Sequence, residues 1–341
     1  MAFFECPKCK RVWQYPIEKC PECFSKLERK KTKRAKVIGV AKVSIPSLFH
    51  LKVPYFVLVL EDENKNRWVQ KSEKEYKIGD DFEIEKTVDK KAVAIWRVKH
   101  DFLEAIEKVL EILGGLKINE NSKILILPTL EKASHPYFRD NTSPEFLEAV
   151  LKILFWLGAK PENIKVASQS FDEEAIGAKA QKSGLLEVCQ KNKVLPIDLI
   201  TGNFVKRGDL EISEEVFKAD LILNLPILKI GRAQATENLF FFLKKENFLA
   251  QKYLYSEKEI FEKLKREIPE VLTIAEANQV KDEKGINHYL NLIFSSFNPK
   301  NLDAIFLKIV NCQLPEILSD VDIESIQIFG RKIEEIKLDS F

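Results

Sequence analysis

Methionine occurs once and histidine four times in this chain of 341 residues, so chemistry that needs an imidazole has few places to occur. No apolar run reaches the roughly 18 residues of a spanning helix, and no membrane segment is expected. The N-terminus carries no basic-then-hydrophobic leader, and a cysteine already stands at residue 6. No dinucleotide fingerprint occurs, and Ile230-Gly231-Arg232-Ala233-Gln234-Ala235-Thr236, with its single glycine, lacks the pattern of a phosphate loop. The C-x-x-C-x-x-C run that holds an iron–sulfur cluster is missing, so no such cluster is expected. Net charge is only +2, which excludes a protein that meets nucleic acid over its whole surface. There are six cysteines, four of them near the N-terminus and Cys189 and Cys312 isolated. That is not a disulfide scaffold, and a reducing cytoplasmic location is expected.

What is present begins with Cys6-Pro7-Lys8-Cys9 and Cys20-Pro21-Glu22-Cys23. Two C-x-x-C pairs at this separation have the spacing of a zinc ribbon. Residues 1–28 are read as that ribbon, with Cys6, Cys9, Cys20 and Cys23 as metal ligands and Trp13 and Tyr15 covering the site. Four thiolates leave no open coordination position, so the expected cofactor is structural Zn(2+). Iron in a rubredoxin-like cage is the alternative that spacing does not exclude.

Residues 29–36, RKKTKRAK, carry six positive charges, either a nucleic-acid contact stripe or a solvated first strand. Residues 37–98 hold short β-rich runs, ending in DFEIEKT and AVAIWRV, with turns at 61–66 and at Lys77-Ile78-Gly79-Asp80. They predict a small OB-like β-barrel over residues 29–100. Tyr55, Phe56, Trp68 and Trp96 fill its core or, alternatively, stack on bases. Residues 101–113 have helical periodicity ending at Gly114-Gly115, and 101–117 is read as a connecting helix. Residues 118–341 alternate strand and helix, which predicts an α/β domain with a mostly parallel sheet. Ser143 and Pro144 mark a helix start. Helices are expected near 235–248, 257–268 and 299–311. In a single helix over Leu239–Leu243, three successive phenylalanines cannot face one core, which implies a second contact surface. The fold class is therefore multidomain: zinc ribbon, OB-like barrel, then an α/β domain.

Residues 1–98 resemble the zinc-ribbon plus OB-fold proteins that accompany thiolases and hydroxymethylglutaryl-CoA synthases. The resemblance rests on the cysteine pairs, on residues 53–61 (VPYFVLVLE) and on Tyr76-Lys77-Ile78-Gly79-Asp80. It implies a non-catalytic module that bridges enzymes or helps to hold an acyl-CoA. Residues 118–331 resemble an uncharacterised prokaryotic α/β family, domain-of-unknown-function family 362, whose members are often fused to ferredoxin modules. That resemblance rests on Leu127-Pro128-Thr129, Thr142-Ser143-Pro144-Glu145, the segment from Asn224 to Lys229, Asn238-Leu239 and Asp303. This chain departs from that pattern at Leu127, Thr129, Ile230-Gly231, Glu276 and Asn298, where family members usually carry lysine, asparagine, Thr-His, aspartate and aspartate.

Ligands of open parallel sheets collect beyond the carboxyl ends of the strands. The ligand-binding candidates there are Asn224, Lys229, Arg232, Asn238, Glu276 and Asp303, with Thr129, Ser168, Gln169 and Ser170 nearby. Lys229 and Arg232 suit a phosphate or carboxylate, Asn224 and Asn238 would orient it, and Glu276 and Asp303 would bind a metal or act as a base. The bland alternative has the asparagines tying loops and Lys229 paired with an acid. His135 is read as loop packing, and Cys189 and Cys312 as buried.

The expected function is a binding or scaffolding subunit in acyl-CoA-linked metabolism with an anion-binding α/β domain, and a partner enzyme or self-association. The alternatives are an enzyme acting on a phosphorylated or carboxylated small molecule through Lys229, Glu276 and Asp303, and a nucleic-acid-binding protein.

Overall fold

In a computed structural model the chain forms two units, Met1–Thr87 and Val88–Phe341. The structure describes residues 2–14, 17, 19–32, 34–46, 53–72, 74–83, 89–282 and 284–336. Tyr15 and the end of the DFEIEKT segment lie outside them.

The first unit is antiparallel throughout its described pairings. Strands β1 (Ala2–Glu5), β2 (Val12–Trp13) and β3 (Glu28–Lys31) pair in the order β2-β1-β3. Strands β4 (Arg34–Val43), β5 (Tyr55–Asp62), β6 (Arg67–Ser72) and β7 (Asp81–Glu83) pair in the order β6-β5-β4-β7. Along β5 alternate residues are buried, so Phe56, Leu58 and Leu60 reach the core with Phe3, Val37 and Trp68. The Phe3 and Trp68 rings meet edge to face, 5.5 Å between centroids. Asp62 closes the hairpin, its Oδ1 accepting from Asn64 N and Asn66 N, both at 2.8 Å. Tyr55, Phe56 and Trp68 are buried, so they fill the core rather than offering a stacking face. The basic run enters β3 and β4, and Lys30 pairs with Glu5.

AVAIWRV, expected to close the barrel, lies in the second unit instead. Strand β8 (Val93–Arg97) pairs with strands of the large sheet, and Trp96 packs against that unit's core. Helix α1 (Phe102–Ile112) also belongs to the second unit. Asp101 caps it, accepting from Glu104 N at 3.3 Å, and Phe102 meets Phe146 at 5.5 Å. Next come β9 (Ile124–Pro128), α2 (Pro144–Trp156), β10 (Ile164–Ser168), α3 (Ile176–Lys182), α4 (Leu185–Asn192) and β11 (Leu195–Asp198). A hairpin, β12 (Phe204–Arg207) and β13 (Leu210–Ser213), leads into α5 (Glu214–Lys218), β14 (Leu221–Leu225) and β15 (Ile227–Lys229). The remainder is α6 (Gln234–Glu237), α7 (Lys245–Lys252), α8 (Glu257–Glu267), β16 (Val271–Lys281), β17 (Asn287–Ser296), α9 (Pro299–Ile309) and β18 (Ile328–Gly330).

The large sheet runs β11-β10-β9-β14-β16-β17-β8-β18, with β15 also on β16. It is mixed: β16/β17 and β17/β8 are antiparallel, and the other pairings are parallel. All five residues of β9 are buried, because both faces are covered. Ile124 and Ile126 join one core with α1, α2 and α4; Leu125 and Leu127 join the other with α8 and α9.

Residues 238–242 form a tight 3-10 turn after α6 rather than one long helix. Phe240 and Phe242 are buried, and half-buried Phe241 packs against Phe171 with the rings tilted, 4.9 Å between centroids. The second contact surface inferred from this run is therefore unnecessary. Among the described residues no helix is long and apolar enough to cross a membrane.

Candidate functional site

The metal site is built from two copies of one turn. In the first, Cys6 N donates to Arg11 O and Lys10 N to Cys6 O, both at 2.9 Å; in the second, Cys20 N donates to Ser25 O and Phe24 N to Cys20 O, both at 2.9 Å. The residue after each second cysteine takes positive φ, 60° at Lys10 and 57° at Phe24. The turns thus aim four sulfurs at one point. Cys6 Sγ lies 3.3 Å from Cys23 Sγ and Cys9 Sγ 3.5 Å from Cys20 Sγ, and all four fall within 4.8 Å of one another. A tetrahedral thiolate site with bonds near 2.3 Å needs sulfurs about 3.8 Å apart, so the donor set fits such an ion. An all-thiolate shell supplies structure rather than an open Lewis-acid position. Trp13 pairs with Phe4 in β2, beside this site in the chain.

In the second unit, polar side chains gather where β9 and β14 end. Thr129 N donates to Thr142 Oγ1 at 2.8 Å, and Thr142 Oγ1 donates to Leu225 O at 2.6 Å. Thr129 Oγ1 donates to Asn238 Oδ1 at 3.2 Å. Asn238 Nδ2 donates to Asn224 Oδ1 at 2.7 Å, and Asn224 Nδ2 to Ala235 O at 2.8 Å. The two asparagines meet, as tethers between strand ends and the 234–238 segment. Buried Asp303 completes that tether, accepting from Ala235 N at 2.9 Å, Thr236 N at 2.8 Å and Thr236 Oγ1 at 2.7 Å.

Burial pushes the Asp303 pKa up to about 7, against the pull of those three donors. The folded protein therefore holds this proton at pH values where the unfolded chain has lost it, so the acid's contribution to stability falls as pH rises from about 4 to about 7. Asp303→Asn removes the titration. Its stability deficit relative to wild type, measured by urea unfolding, should shrink by about 3 kcal/mol between pH 5 and pH 8. A deficit that stays constant or widens would contradict the assignment.

A second cluster is ionic. Lys229 Nζ lies 2.7 Å from Glu131 Oε2, and Arg232 Nη1 reaches both Glu131 oxygens at 3.2 Å. Gln234 Nε2 donates to Glu131 Oε1 at 2.8 Å, and Arg232 Nε donates to Glu237 Oε2 at 3.0 Å. Burial opposes the Glu131 charge, but the two cations outweigh it and hold its pKa below the ordinary value. Burial lowers the Lys229 pKa despite Glu131. Further along the same loop, Lys281 pairs with Asp140 at 2.7 Å. Glu276, fully buried, accepts from Ser143 N at 3.0 Å and Ser143 Oγ at 2.9 Å, with Arg139 Nη1 at 3.7 Å. Burial raises its pKa, opposed by Ser143 and Arg139.

The structure thus joins Lys229 to Arg232, and Asn224 to Asn238 and, through the 235–236 backbone, to Asp303. Glu276 and Asp303 are held by different partners. The bland reading of Lys229 holds in this state, since it is paired with an acid. In the 129–143 loop the sequence points to Thr129, His135 and the helix start at Thr142-Ser143, whereas Glu131, Arg139 and Asp140, which the loop also supplies, carry no motif. A loop after a parallel strand is a common place for function, and that position was the available signal. His135 accepts from Tyr137 N at 3.2 Å and shapes this loop. Gln169 Nε2 ties to Phe241 O at 2.6 Å, and Ser170 and Asp172 hold Lys179. Cys189 is buried; Cys312 is only half-buried, against expectation.

Fold and sites together define a protein with a four-thiolate metal-binding β module and a mixed α/β unit that buries a charged network. No protein-family model matches the chain. A thylakoid-associated protein of Synechocystis sp. is 28% identical over 152 residues, covering 40% of this chain and 45% of that protein. The chain therefore spans less than half the length of this relative. Among solved structures, an Ltp2–ChsH2(DUF35) aldolase is similar at 20% identity over 25% of this chain and 72% of that one, with a TM-score of 0.21. A score at that level does not establish a shared fold.

Proposed function

We propose that the second unit binds a small phosphorylated or carboxylated molecule at Lys229 and Arg232, as the ligand site of an enzyme. The observation that carries this reading is the convergence of both cations on the single carboxylate of Glu131. A carboxylate or phosphate of a ligand presents the same oxygens to the same donors and can take that place. Asn224 and Asn238 fix the strand ends that carry the site, and Asp303 positions the 234–238 segment beneath Arg232 in the chain. Glu276, with a raised pKa and Ser143 as its partner, is the acid–base group proposed for turnover. The structural ion of the first unit is read as zinc. A scaffolding role in acyl-CoA-linked metabolism is what the resemblance of residues 1–98 implies; the buried ionic network favours ligand binding by the α/β unit over it.

Calorimetric titration with inorganic phosphate and with citrate tests the reading. Saturable binding is expected, weakened about tenfold or more in Lys229→Ala and in Arg232→Ala, in line with the loss of a charge-assisted contact. Glu276→Gln should leave binding unchanged while removing turnover of any substrate found by screening metabolite mixtures by NMR. Absence of saturable anion binding would overturn the proposal.

A further inference from the structure

Beyond the carboxyl ends of β9, β10 and β11 lies a cavity of about 250 Å³, bounded by α3 and α4. Lys229, Arg232, Glu276 and Asp303 do not line it. Leu130, Val166, Ile176 and Leu185 give it an apolar wall. Ser168, the last residue of β10, also lines it, and its hydroxyl is buried with no hydrogen-bond partner among the described residues. As placed, that oxygen is closed off; an unpaired buried hydroxyl costs on the order of 1–3 kcal/mol, so a turn of the short Ser168 side chain toward a polar atom of a bound molecule would be favoured. The charged residue of the lining is Asp198, half-buried at the end of β11, and no lysine or arginine balances it there. An anion would meet that carboxylate inside an apolar wall, which is unfavourable. Cys189, also on the wall, has its thiol pushed up to about 11 by burial, so it adds neutral surface.

We propose that this cavity binds an uncharged, mainly apolar molecule of about ten non-hydrogen atoms, bearing one hydroxyl or carbonyl that hydrogen-bonds to Ser168. The size follows from volume, since an apolar cavity of about 150 Å³ accommodates benzene. The site is distinct from the ionic cluster, although Leu130 on its wall adjoins Glu131 in the chain.

Fluorescence titration of the full chain with 2-naphthol, naphthalene and 2-naphthoate tests this. The first has the proposed size and a single hydroxyl; the others remove the hydroxyl or replace it by a charge. Saturable binding of 2-naphthol is expected, with 2-naphthoate weaker by about tenfold or more. Gly177 lines the cavity on α3, and a Cβ added there meets nothing within 4 Å. Gly177 is exposed, so Gly177→Leu should fold, block the rim of the cavity and weaken 2-naphthol by about tenfold or more, while phosphate binding persists. Ser168→Ala should weaken 2-naphthol by about fivefold and leave naphthalene unchanged. Three outcomes would overturn the proposal: no saturation by 2-naphthol, equal affinity in Gly177→Leu, or naphthoate binding as tightly as naphthol. An unchanged 2-naphthol affinity in Ser168→Ala would overturn Ser168 as the anchor.

Discussion

Chelation of the ion at Cys6, Cys9, Cys20 and Cys23 should unfold the β2-β1-β3 sheet and leave the second unit folded. The expected loss is large, because a structural thiolate site contributes roughly 10 kcal/mol or more to a module that has little else. Among the described residues the buried apolar side chains around this small sheet are few: Phe4 on β1, Leu27 before β3, and Phe3, which belongs to the core of the β6-β5-β4-β7 sheet. Each cysteine turn also places a residue at positive φ, a conformation that Lys10 and Phe24 do not favour unaided. Without the ion, four thiolates packed within 4.8 Å would repel one another or reprotonate. Hydrogen exchange read by mass spectrometry should show protection lost over residues 2–31 and retained over β9, β14 and β16. Metal analysis should find a single zinc per chain, and Cys20→Ser should reproduce the chelated state. Retained protection in metal-free protein would refute the account.

The metal site was legible because all of its determinants are local. Two cysteine pairs, their spacing and their prolines suffice. Helix α2 was legible for the same reason: Ser143 accepts from Phe146 N at 3.3 Å and Pro144 opens the helix, as their order in the chain predicts. Strand β9 could be read from its unbroken apolar run. The pattern of β8, Val-Ala-Ile-Trp-Arg, says strand but does not name a neighbour; its partners, β17 and β18, are about two hundred residues or more away. Strand β17 is not legible in the sequence, since Asn287, His288 and Asn291 dilute its apolar alternation. The ionic cluster was half legible. Lys229 and Arg232 stand in a conspicuous segment after a strand, but Glu131 is separated from Lys229 by 98 positions, and only the fold brings them together. Pairings of that kind depend on tertiary contact, which one-dimensional periodicity does not encode.

Replacing Glu131 by glutamine should do two opposite things. It keeps the side-chain shape but removes the charge that holds Lys229, whose side chain is only 10% exposed. Breaking a buried pair by neutralising one member leaves an uncompensated charge, and a loss of about 3 kcal/mol is expected. Arg232 suffers less, because it is 45% exposed and keeps Glu237. The same change removes the carboxylate that the proposed ligand must displace. Inorganic phosphate should therefore bind Glu131→Gln about tenfold more tightly than wild type and restore much of the lost thermal stability, by linkage between binding and folding. Chloride at equal ionic strength should not, since the effect requires an anion seated on two donors rather than general screening. The pH dependence fixes the sign independently. Glu131 has a depressed pKa, so its stabilisation is present above about pH 4.5 and is lost as pH falls through the lower folded value. The difference between wild type and variant should accordingly close in acid. If Glu131 served structure alone, the destabilisation would appear in full and phosphate would recover none of it beyond what it gives wild type. Thermal melts of the two proteins, with phosphate and with chloride, separate these cases directly.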